Sequence, residues 1–438
     1  MRATQEAALA EMRRWGYRYV VTPTLESLEV LALGLDAGEL RRLFKLTDAD
    51  GSLLALVGER TIPVARFVAG RLRAAPLPLR LCYAGAVLTT DPGRFTRRRE
   101  AYQVGAELIG ASGPVADAEV IAMAVRCLDA AGLRHYQVDV GHSEFFQGLL
   151  DGVALPADLK PGVKAALARR DFVALETLLD QTPLRSAEHE LLLRFPALRG
   201  GPEILEAGGK LVRNQRSERA LRELARVHEL LGAHGLGDGV ALDLGAIRDF
   251  DYYTGVIFEG YGPDVGRPLA QGGRYDSLLA RFGRPAPATG FMIHLDRMGE
   301  LLRRTAEGPE LTWLDAAIGW TSPGLEEAIR LAASLRMFGM RAVVDTQPRS
   351  LAAAMAWREA VGARHLLHMA GSGRAAWAAA TSPVRRLPAG QVVEQLATLP
   401  RGARGGEKET LPRPGVPAKP ASRGGGVGGV PGEAGGGG

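Results

Sequence analysis

The chain has 438 residues, of which 46% are hydrophobic and 24% are charged, a composition ordinary for a folded globular protein with two or three domains. The net charge is +5, and six Lys or Arg against three Glu lie after residue 400. The rest of the chain is therefore nearly balanced, which gives little support for a nucleic-acid-binding protein.

Cysteine usage and apolar patterning exclude further classes. The two cysteines, Cys82 and Cys127, lie in apolar sequence and fit neither a disulfide framework nor a metal cluster. We expect buried thiols in a reducing compartment. No apolar run reaches the length of a membrane span and residues 1–20 lack a signal-peptide pattern, so we expect a cytoplasmic protein without membrane contact.

The first 145 residues alternate helical and strand patterns. The patterns predict helices over 4–15, 63–73 and 115–132, a hairpin over 43–59, and strands over 17–26, 79–88, 101–110 and 135–141. Pro23 interrupts the first of these strands. Such alternation favours an α+β domain around an antiparallel sheet.

The middle of the chain becomes helical and then returns to strands. Residues 159–180, 188–195 and 218–235 have helical periodicity and suggest an insertion between strands of the main sheet. Strands are predicted at 240–246 and 255–261, a short helix at 275–283, and a strand continuing into a helix over 290–305. Taken alone, Gly272 and Gly273 mark only a turn.

The last part of the chain has a different character. Residues 315–370 alternate as β-α-β-α-β, which predicts a small parallel sheet in a separate domain. Residues 401–438 are rich in Gly and Pro without apolar periodicity, and we expect them to be disordered. The predicted domains are a core of 1–150 and 236–308, an insertion of 151–235, a C-terminal α/β domain of 312–398, and the tail.

The stretch IRDFDYYTGVIFEGY at 247–261 carries the most chemistry. It places an Arg, two Asp and two adjacent Tyr immediately before a predicted strand. Paired tyrosines at a strand are usually sheet packing, and Glu59 or Glu107 alone would more often be solvated acids. Their occurrence in one ordered set of motifs favours a binding site over these separate explanations.

These motifs resemble histidyl-tRNA synthetases. IRDFDYYTGVIFEGY and QGGRYDSLLARFG are similar to the two histidine-recognition signatures, LALVGERT to the Leu-Arg-Pro-Glu-Gly-Thr segment, residues 79–110 to class II motif 2, and GFMIHLDRM to motif 3. The resemblance covers about residues 5–395. It implies a class II synthetase-like antiparallel sheet with flanking helices, a helical insertion, and a small C-terminal α/β domain like an anticodon-binding domain.

The resemblance also implies a histidine pocket. Glu59 and Thr61 would receive the ammonium group, Gln103 would bridge to the carboxylate, and Arg248 would pair with that carboxylate. Glu107 and Tyr253 would hold the imidazole nitrogens, while Tyr252 and Tyr275 would close the wall. A zwitterion with an imidazole needs an anion, a cation and partners for two ring nitrogens, and these residue types supply each of them.

The activation chemistry of a synthetase is incomplete in this sequence. Thr89 occupies the position of the motif 2 arginine that contacts the α-phosphate of ATP, whereas Arg97 and Arg297 match synthetase arginines. Loss of one such stabilising group typically costs about 10²–10³ in rate. Val57 and Gly58 also replace the usual Arg-Pro. We therefore expect a degenerate nucleotide site at Thr89, Arg97 and Arg297.

Where the sequence departs from synthetases, it resembles the regulatory subunit of ATP phosphoribosyltransferase. The similar segments are RDFDYYTGVIFEGY with its Asp249, GGRYDSLLARFGRPAPATGF and the helical insert. This resemblance implies a chain without its own catalysis that supports a short-form catalytic subunit in histidine biosynthesis and carries feedback inhibition by L-histidine. It implies a homodimer core within a hetero-oligomer, no cofactor or metal, and no tRNA partner. An active histidyl-tRNA synthetase is the alternative, and an RNA- or protein-binding module with another partner is a third.

Overall fold

The computed structural model describes residues 1–90, 99–168, 171–182, 184–212, 214–246, 252–263, 265–305, 314–379 and 383–398. The predicted residues Arg97, Arg248 and Asp249 and the Gly-rich tail lie outside these ranges. The chain divides into two compact units, Met1–Pro309 and Glu310–Gly438.

The first unit contains twelve α-helices and twelve strands among its described residues. The helices are α1 Arg2–Arg14, α2 Leu28–Ala32, α3 Ala37–Arg41, α4 Thr61–Gly70, α5 Pro114–Ala130, α6 Ser143–Asp151, α7 Lys160–Ala168, α8 Phe172–Leu179, α9 Ser186–Arg194, α10 Glu203–Leu211, α11 Gln215–Ala233 and α12 Leu295–Thr305. The strands are β1 Arg18–Tyr19, β2 Leu25–Ser27, β3 Lys45–Thr47, β4 Leu53–Leu56, β5 Leu79–Leu88, β6 Glu100–Ile109, β7 Gln137–His142, β8 Arg199–Gly200, β9 Val240–Asp243, β10 Val256–Tyr261, β11 Ala270–Arg274 and β12 Ala288–His294.

A nine-stranded sheet in the order β1-β5-β6-β12-β11-β10-β7-β9-β8 organises this unit. The strands from β5 to β7 in that order pair antiparallel with their neighbours. The short β1 pairs parallel with β5, β9 pairs parallel with β7, and β8 pairs antiparallel with β9. The central sheet is thus the antiparallel one that the sequence predicted.

Alternation along the strands gives the sheet two buried faces. In β5, Cys82 packs into the larger cluster with the apolar sides of α1, α5 and α11, whereas Leu81 and Tyr83 pack into a smaller cluster with α4. Cys82 and Cys127 are both buried free thiols, as predicted. The smaller cluster also includes Ala55 of the three-stranded sheet β2-β4-β3. Strands β3 and β4 of this sheet form the predicted hairpin, and β2 pairs with β4.

The second unit is a five-stranded sheet with three α-helices in its described part. Its elements are β13 Leu314–Trp320, α13 Leu325–Met337, β14 Ala342–Val344, α14 Leu351–Ala360, β15 Ala363–Met369, β16 Arg374–Ala379, β17 Arg385–Pro388 and α15 Ala389–Thr398. The strand order is β14-β13-β15-β16-β17. The predicted β-α-β-α-β forms the parallel part, with β14 and β15 on either side of β13.

Three expectations need correction. The C-terminal sheet is mixed rather than parallel, because β16 and β17 add antiparallel. Gly272 and Gly273 lie inside β11 rather than at a turn. Glycine fits at these positions because a β-carbon on Gly272 would approach Phe258, and one on Gly273 would approach Tyr253, to below 3 Å. The helical stretch at 159–180 is two helices, the second beginning after Asp171, whose side chain accepts from the Ala174 N–H at 3.0 Å.

The sequence patterns also failed to predict α6 and α10. A search of the described helices for a long apolar segment that could cross a bilayer finds none. The described residues likewise contain no group of three or more His, Cys, Asp or Glu side chains placed to hold a metal ion.

Candidate functional site

The face of the central sheet that α4 covers carries a polar pocket. Register places Gln103 opposite Gly85 across β5 and β6, and Glu107 opposite Gly290 across β6 and β12. Side chains two or four residues apart on a strand project from the same face, so Gln103 and Glu107 of β6 share this floor. The pocket has about 390 Å³ of empty space including its mouth, and it is lined by Glu59, Arg60, Thr61, Tyr83, Gln103, Glu107, Tyr252, Tyr253, Gln271, Tyr275, Gly290, Phe291 and Met292.

Glu59 lies at the amino end of α4. Its carboxylate accepts from the backbone N–H groups of Thr61 at 2.7 Å and Ile62 at 2.8 Å. These N–H groups have no acceptor within the helix, and the positive end of the helix dipole favours an anion there. The helix therefore fixes the carboxylate at the pocket wall.

Glu107 is the second acid of the pocket and is 1% exposed. The Thr61 hydroxyl donates to its Oε1 at 2.9 Å, and the Tyr275 hydroxyl donates to its Oε2. Thr61 thus links the end of α4 to β6. Both carboxylates are held in place by neighbouring donors, so their positions do not depend on a ligand.

Three tyrosines form the wall opposite these acids. The rings of Tyr252 and Tyr253 have centroids 4.9 Å apart, and those of Tyr252 and Tyr275 meet edge to face at 5.9 Å. Tyr252 and Tyr275 are 5% and 3% exposed. Aromatic rings with polar ends suit a small planar ligand that bears nitrogen atoms.

Gly290 creates the space beside Glu107. A β-carbon at this position would lie 1.7 Å from Glu107 Oε2 and 2.7 Å from the carbonyl oxygen of Ala106. No side chain can replace this hydrogen without displacing the carboxylate. The glycine in the PATGF stretch is therefore part of the pocket floor.

A buried ion pair fixes the end of β11 that carries Tyr275. The Arg274 guanidinium contacts Asp117 at 2.8 Å and also Asp276 at 3.0 Å. Arg274 and Asp117 are 5% and 4% exposed. Because Asp117 lies in the first turn of α5, the pair ties this helix to the strand and holds the Tyr275 backbone in place.

Burial changes the ionisation of both acids. Loss of hydration raises the pKa of Glu59 to about 7 and that of Glu107 to about 8, and repulsion from Glu59 adds to the rise in the pKa of Glu107. Burial likewise raises the pKa values of Tyr83, Tyr252 and Tyr275 well above the ordinary range. Near neutral pH the ligand-free pocket therefore holds protons that a cationic ligand would displace.

One buried acceptor in the pocket is unmatched. Gln103 is 3% exposed, yet its Oε1 has no hydrogen-bond partner among the described residues. An unsatisfied buried acceptor costs about 1–3 kcal/mol. It marks a position where a ligand N–H group would restore the missing hydrogen bond.

The structure brings together seven of the eight residues predicted to bind histidine. Glu59, Thr61, Gln103, Glu107, Tyr252, Tyr253 and Tyr275 all line this one pocket. The eighth, Arg248, lies outside the described residues. These residues come from four separate stretches between positions 59 and 275, so the fold itself is what assembles them.

The predicted nucleotide-site residues are not among the lining residues. The Thr89 N–H, directly after β5, donates to the Arg99 carbonyl oxygen at 2.9 Å. Arg297 is 6% exposed in α12 and donates to the Pro268 carbonyl oxygen. Burial and the nearby Arg267 lower the pKa of Arg297 to about 10. Arg97, the third of this group, lies outside the described residues.

Sequence reasoning missed the other lining residues. They are Arg60, Tyr83, Gln271, Gly290, Phe291 and Met292. Arg60 stands between two predicted site residues, and Gly290 lies in a quoted motif, so their positions held a usable signal. Tyr83 and Gln271 also lie within quoted segments, and strand register is what shows that they face the pocket.

Comparison with known proteins defines the class first. Residues 1–298 match the family model described as histidyl-tRNA synthetase. The crystal structure of histidyl-tRNA synthetase from Nostoc sp. PCC 7120 aligns over 90% of this chain and 94% of its own, with a TM-score of 0.77 at 16% identity, a likeness of fold. The chain therefore has the class II fold of histidyl-tRNA synthetases, which confirms the predicted fold class.

More similar proteins define the branch. The ATP phosphoribosyltransferase regulatory subunit of Moorella thermoacetica is 42% identical over 352 residues, covering 80% of this chain and 89% of the relative. The crystal structure of an ATP phosphoribosyltransferase regulatory subunit/histidyl-tRNA synthetase from Bacillus halodurans C is 32% identical with a TM-score of 0.70, covering 84% of this chain and 93% of that one. The chain belongs to the family of ATP phosphoribosyltransferase regulatory subunits, synthetase-like chains without catalysis of their own.

Proposed function

We propose that this chain is the histidine-sensing partner of a short-form ATP phosphoribosyltransferase catalytic subunit. In this function it supports the first step of histidine biosynthesis and reports free L-histidine to the catalytic chain. The pocket described above is the proposed histidine site. A homodimer of the synthetase-like unit would form the centre of the hetero-oligomer.

The observation that carries the proposal is the polar pocket with its unmatched acceptor. Two buried acids, Glu59 and Glu107, provide anionic acceptors for an ammonium group and an imidazole N–H, and Gln103 Oε1 has an unused lone pair. The tyrosine wall suits the planar ring. A site built from such buried polar groups rejects analogues that leave one group unpaired, which gives the selectivity that a sensor needs.

The nucleotide side supports sensing rather than amino-acid activation. At Thr89 a neutral hydroxyl stands where activation requires a delocalised cation close to phosphorus. A pocket that binds histidine without activating it leaves the free amino acid as its ligand. Arg97 and Arg297 remain proposed remnants of the nucleotide site.

Calorimetry with the full chain tests the ligand. L-Histidine should bind one site per chain, and Glu107→Ala should weaken binding by at least about 100-fold, because a buried charged partner is lost. Pyrophosphate exchange with histidine and ATP should be absent. Absence of histidine binding to the wild-type chain would refute the proposal, and robust exchange would favour the synthetase alternative.

A second measurement tests the regulatory link. With the short-form catalytic subunit present, the wild-type chain should support phosphoribosyl transfer to ATP and confer inhibition by histidine. The Glu107→Ala variant should still support activity but should lose inhibition. A ligand that binds two states with equal affinity does not shift the equilibrium between them. Inhibition therefore requires that histidine bind the inactive assembly more tightly than the active one.

A further inference from the structure

Arg60 is a buried cation of the pocket whose charge no hydrogen bond to a described residue balances. It is 4% exposed and lies at the N-cap of α4. All five hydrogen bonds of its side chain to described residues go to neutral oxygens, those of Thr22, Pro23, Thr24 and Ala86. Its only nearby anion among the described residues is therefore the adjacent Glu59 carboxylate, which it attracts without a hydrogen bond. Burial lowers its pKa, which indicates the cost of holding the charge there.

The clamp that Arg60 makes accounts for only part of its guanidinium. The hydrogen bonds all come from Nη1 and Nη2, and they fix the segment before β2 against the end of β5. The remaining donor, Nε–H, is buried and has no partner among the described residues. If Arg60 had only a structural role, this buried donor would remain without a hydrogen bond. The free-energy cost would be similar to that of the unmatched acceptor Gln103 Oε1.

The unmatched donor and the unmatched acceptor belong to residues on the same face of the sheet. A β-carbon on Gly85 would be 2.6 Å from Arg60 Cζ and 2.9 Å from Nε, so the guanidinium lies directly over Gly85. Gly85 pairs with Gln103 across β5 and β6, and paired residues share a face about 5 Å apart. The Arg60 guanidinium therefore lies on the same sheet face as Gln103, over the strand next to it, and Arg60 and Gln103 both line the pocket.

We propose that Arg60 and Gln103 form the carboxylate-recognising end of this pocket. Arg60 Nε–H and the Gln103 amide N–H donate to the ligand carboxylate, and Gln103 Oε1 accepts from the adjacent ammonium group. An unmatched donor and an unmatched acceptor on one side of the pocket fit the α-amino-acid group, which carries both charges on one carbon. The inference rests on the proposed histidine site and adds a specificity-determining cation to it.

The test is a cycle of two ligands and two proteins, measured by calorimetry on the full chain. L-Histidine is compared with L-histidinol, in which a hydroxymethyl group replaces the carboxylate. The wild-type chain should bind histidinol about 10- to 100-fold more weakly, the usual size of a charge-assisted contact. In Arg60→Met, histidine should bind several-fold more weakly while histidinol changes little, so the ratio between the ligands falls, and the part that remains belongs to Arg248 and Gln103.

The control is Arg66→Met, on the same helix, where the arginine pairs with Glu26 at 2.5 Å outside the pocket. It should leave the ratio between the two ligands unchanged. Thermal melting checks that each variant is folded. If Arg60→Met does not fold, Arg60→Gln decides, because glutamine keeps a polar group on this side chain but has no charge with which to hold the ligand carboxylate.

The outcomes separate the two proposals. No histidine binding to the wild-type chain refutes the histidine site and with it the role of Arg60. Histidine binding with an unchanged ligand ratio in the folded Arg60 variant refutes the role of Arg60 and leaves the histidine site standing. Equal weakening of both ligands also refutes that role, since it identifies Arg60 as a structural clamp only.

Discussion

Replacing Glu107 with Gln should stabilise the ligand-free protein at alkaline pH while abolishing histidine binding. Glutamine keeps the size of the side chain and can still accept from the Tyr275 hydroxyl, which now donates to the carboxylate. It removes the charge that burial penalises. The gain should therefore grow as the pH rises above about 4.5, where the unfolded wild-type chain releases the proton that the folded protein keeps.

The magnitude follows from the raised pKa of Glu107. Between its ordinary value of 4.5 and the folded value of about 8, the unfolded chain has released this proton and the folded protein keeps it. The free energy of unfolding of the wild type therefore falls as pH rises, by at most about 1.4 kcal/mol per pH unit and about 5 kcal/mol in all. Glu59 and Glu107 titrate as a coupled pair, so only part of this loss belongs to Glu107. We therefore expect the variant to be more stable than the wild type by about 2–3 kcal/mol at alkaline pH.

Urea unfolding of the ligand-free proteins at pH 5 and pH 8.5 measures this difference. The variant and the wild type should have similar stability at pH 5, where both carry a neutral side chain in the folded state. At pH 8.5 the variant should be the more stable. A difference between the two proteins that is the same at both pH values would show that the Glu107 carboxyl is not held protonated by burial, and the reasoning would fail.

Three further outcomes follow from the same contacts. Gly290→Ala should abolish histidine binding, measured by calorimetry, and should destabilise the fold by about 1–3 kcal/mol through overpacking against Glu107, measured by urea unfolding. The control is Gly299→Ala in α12, where a β-carbon would have only Arg303 Nη1 within reach, at 4.0 Å, and this variant should be neutral or slightly stabilising. Equal effects of the two substitutions would contradict overpacking as the cause. Histidine binding at pH 7 should release protons, seen as a binding enthalpy that varies with the ionisation enthalpy of the buffer, and no variation would show that the acids stay protonated in the complex. Asp117→Ala should cost about 3–5 kcal/mol by leaving Arg274 without its buried partner and should weaken histidine binding, whereas a loss of stability under about 1 kcal/mol would count against a positioning role.

Local pattern predicted most of the central sheet, because its strands are short, mostly apolar runs bounded by turn residues, as expected of strands buried on both faces. Strand β5 was predicted with the bounds that it has, and β6, β10 and β12 to within a residue or two. The predicted helices α1 and α11 are amphipathic over three turns or more, the length at which the helical period is most reliable, whereas α5 is a long apolar helix buried on most of its sides.

The elements that were missed lack such a signal. Strand β11 is AQGGR, with glycines where propensity disfavours a strand, and only the closeness of Phe258 and Tyr253 explains why no side chain fits there. In the C-terminal unit, β16 is mostly Ala and β17 begins with two Arg, so neither has apolar alternation. Tertiary pairing decides these strands.

The pocket was predictable only through the resemblance to synthetases. Periodicity alone cannot bring Glu59 together with Tyr275, since they meet through strand pairing and the end of α4. Arg60 was missed although it stands between two predicted site residues, because a single arginine beside a glutamate does not by itself distinguish a pocket cation from a surface one. Its burial and its unmatched Nε–H became visible only with the fold.

A sensor can use the very features that make this pocket unfavourable without a ligand. The buried acids, Arg60 and Gln103 Oε1 each raise the free energy of the ligand-free state, and histidine would match all of them at once. Ligand at about 100 times its Kd stabilises the binding-competent state by about 2.7 kcal/mol. Coupling between two sites typically amounts to about 1–3 kcal/mol, so closing this one pocket is enough to bias a hetero-oligomer between two states. The requirement is that the pocket differ between those states, and Thr61, which joins the end of α4 to Glu107 in β6, is the contact through which a shift of α4 would change it.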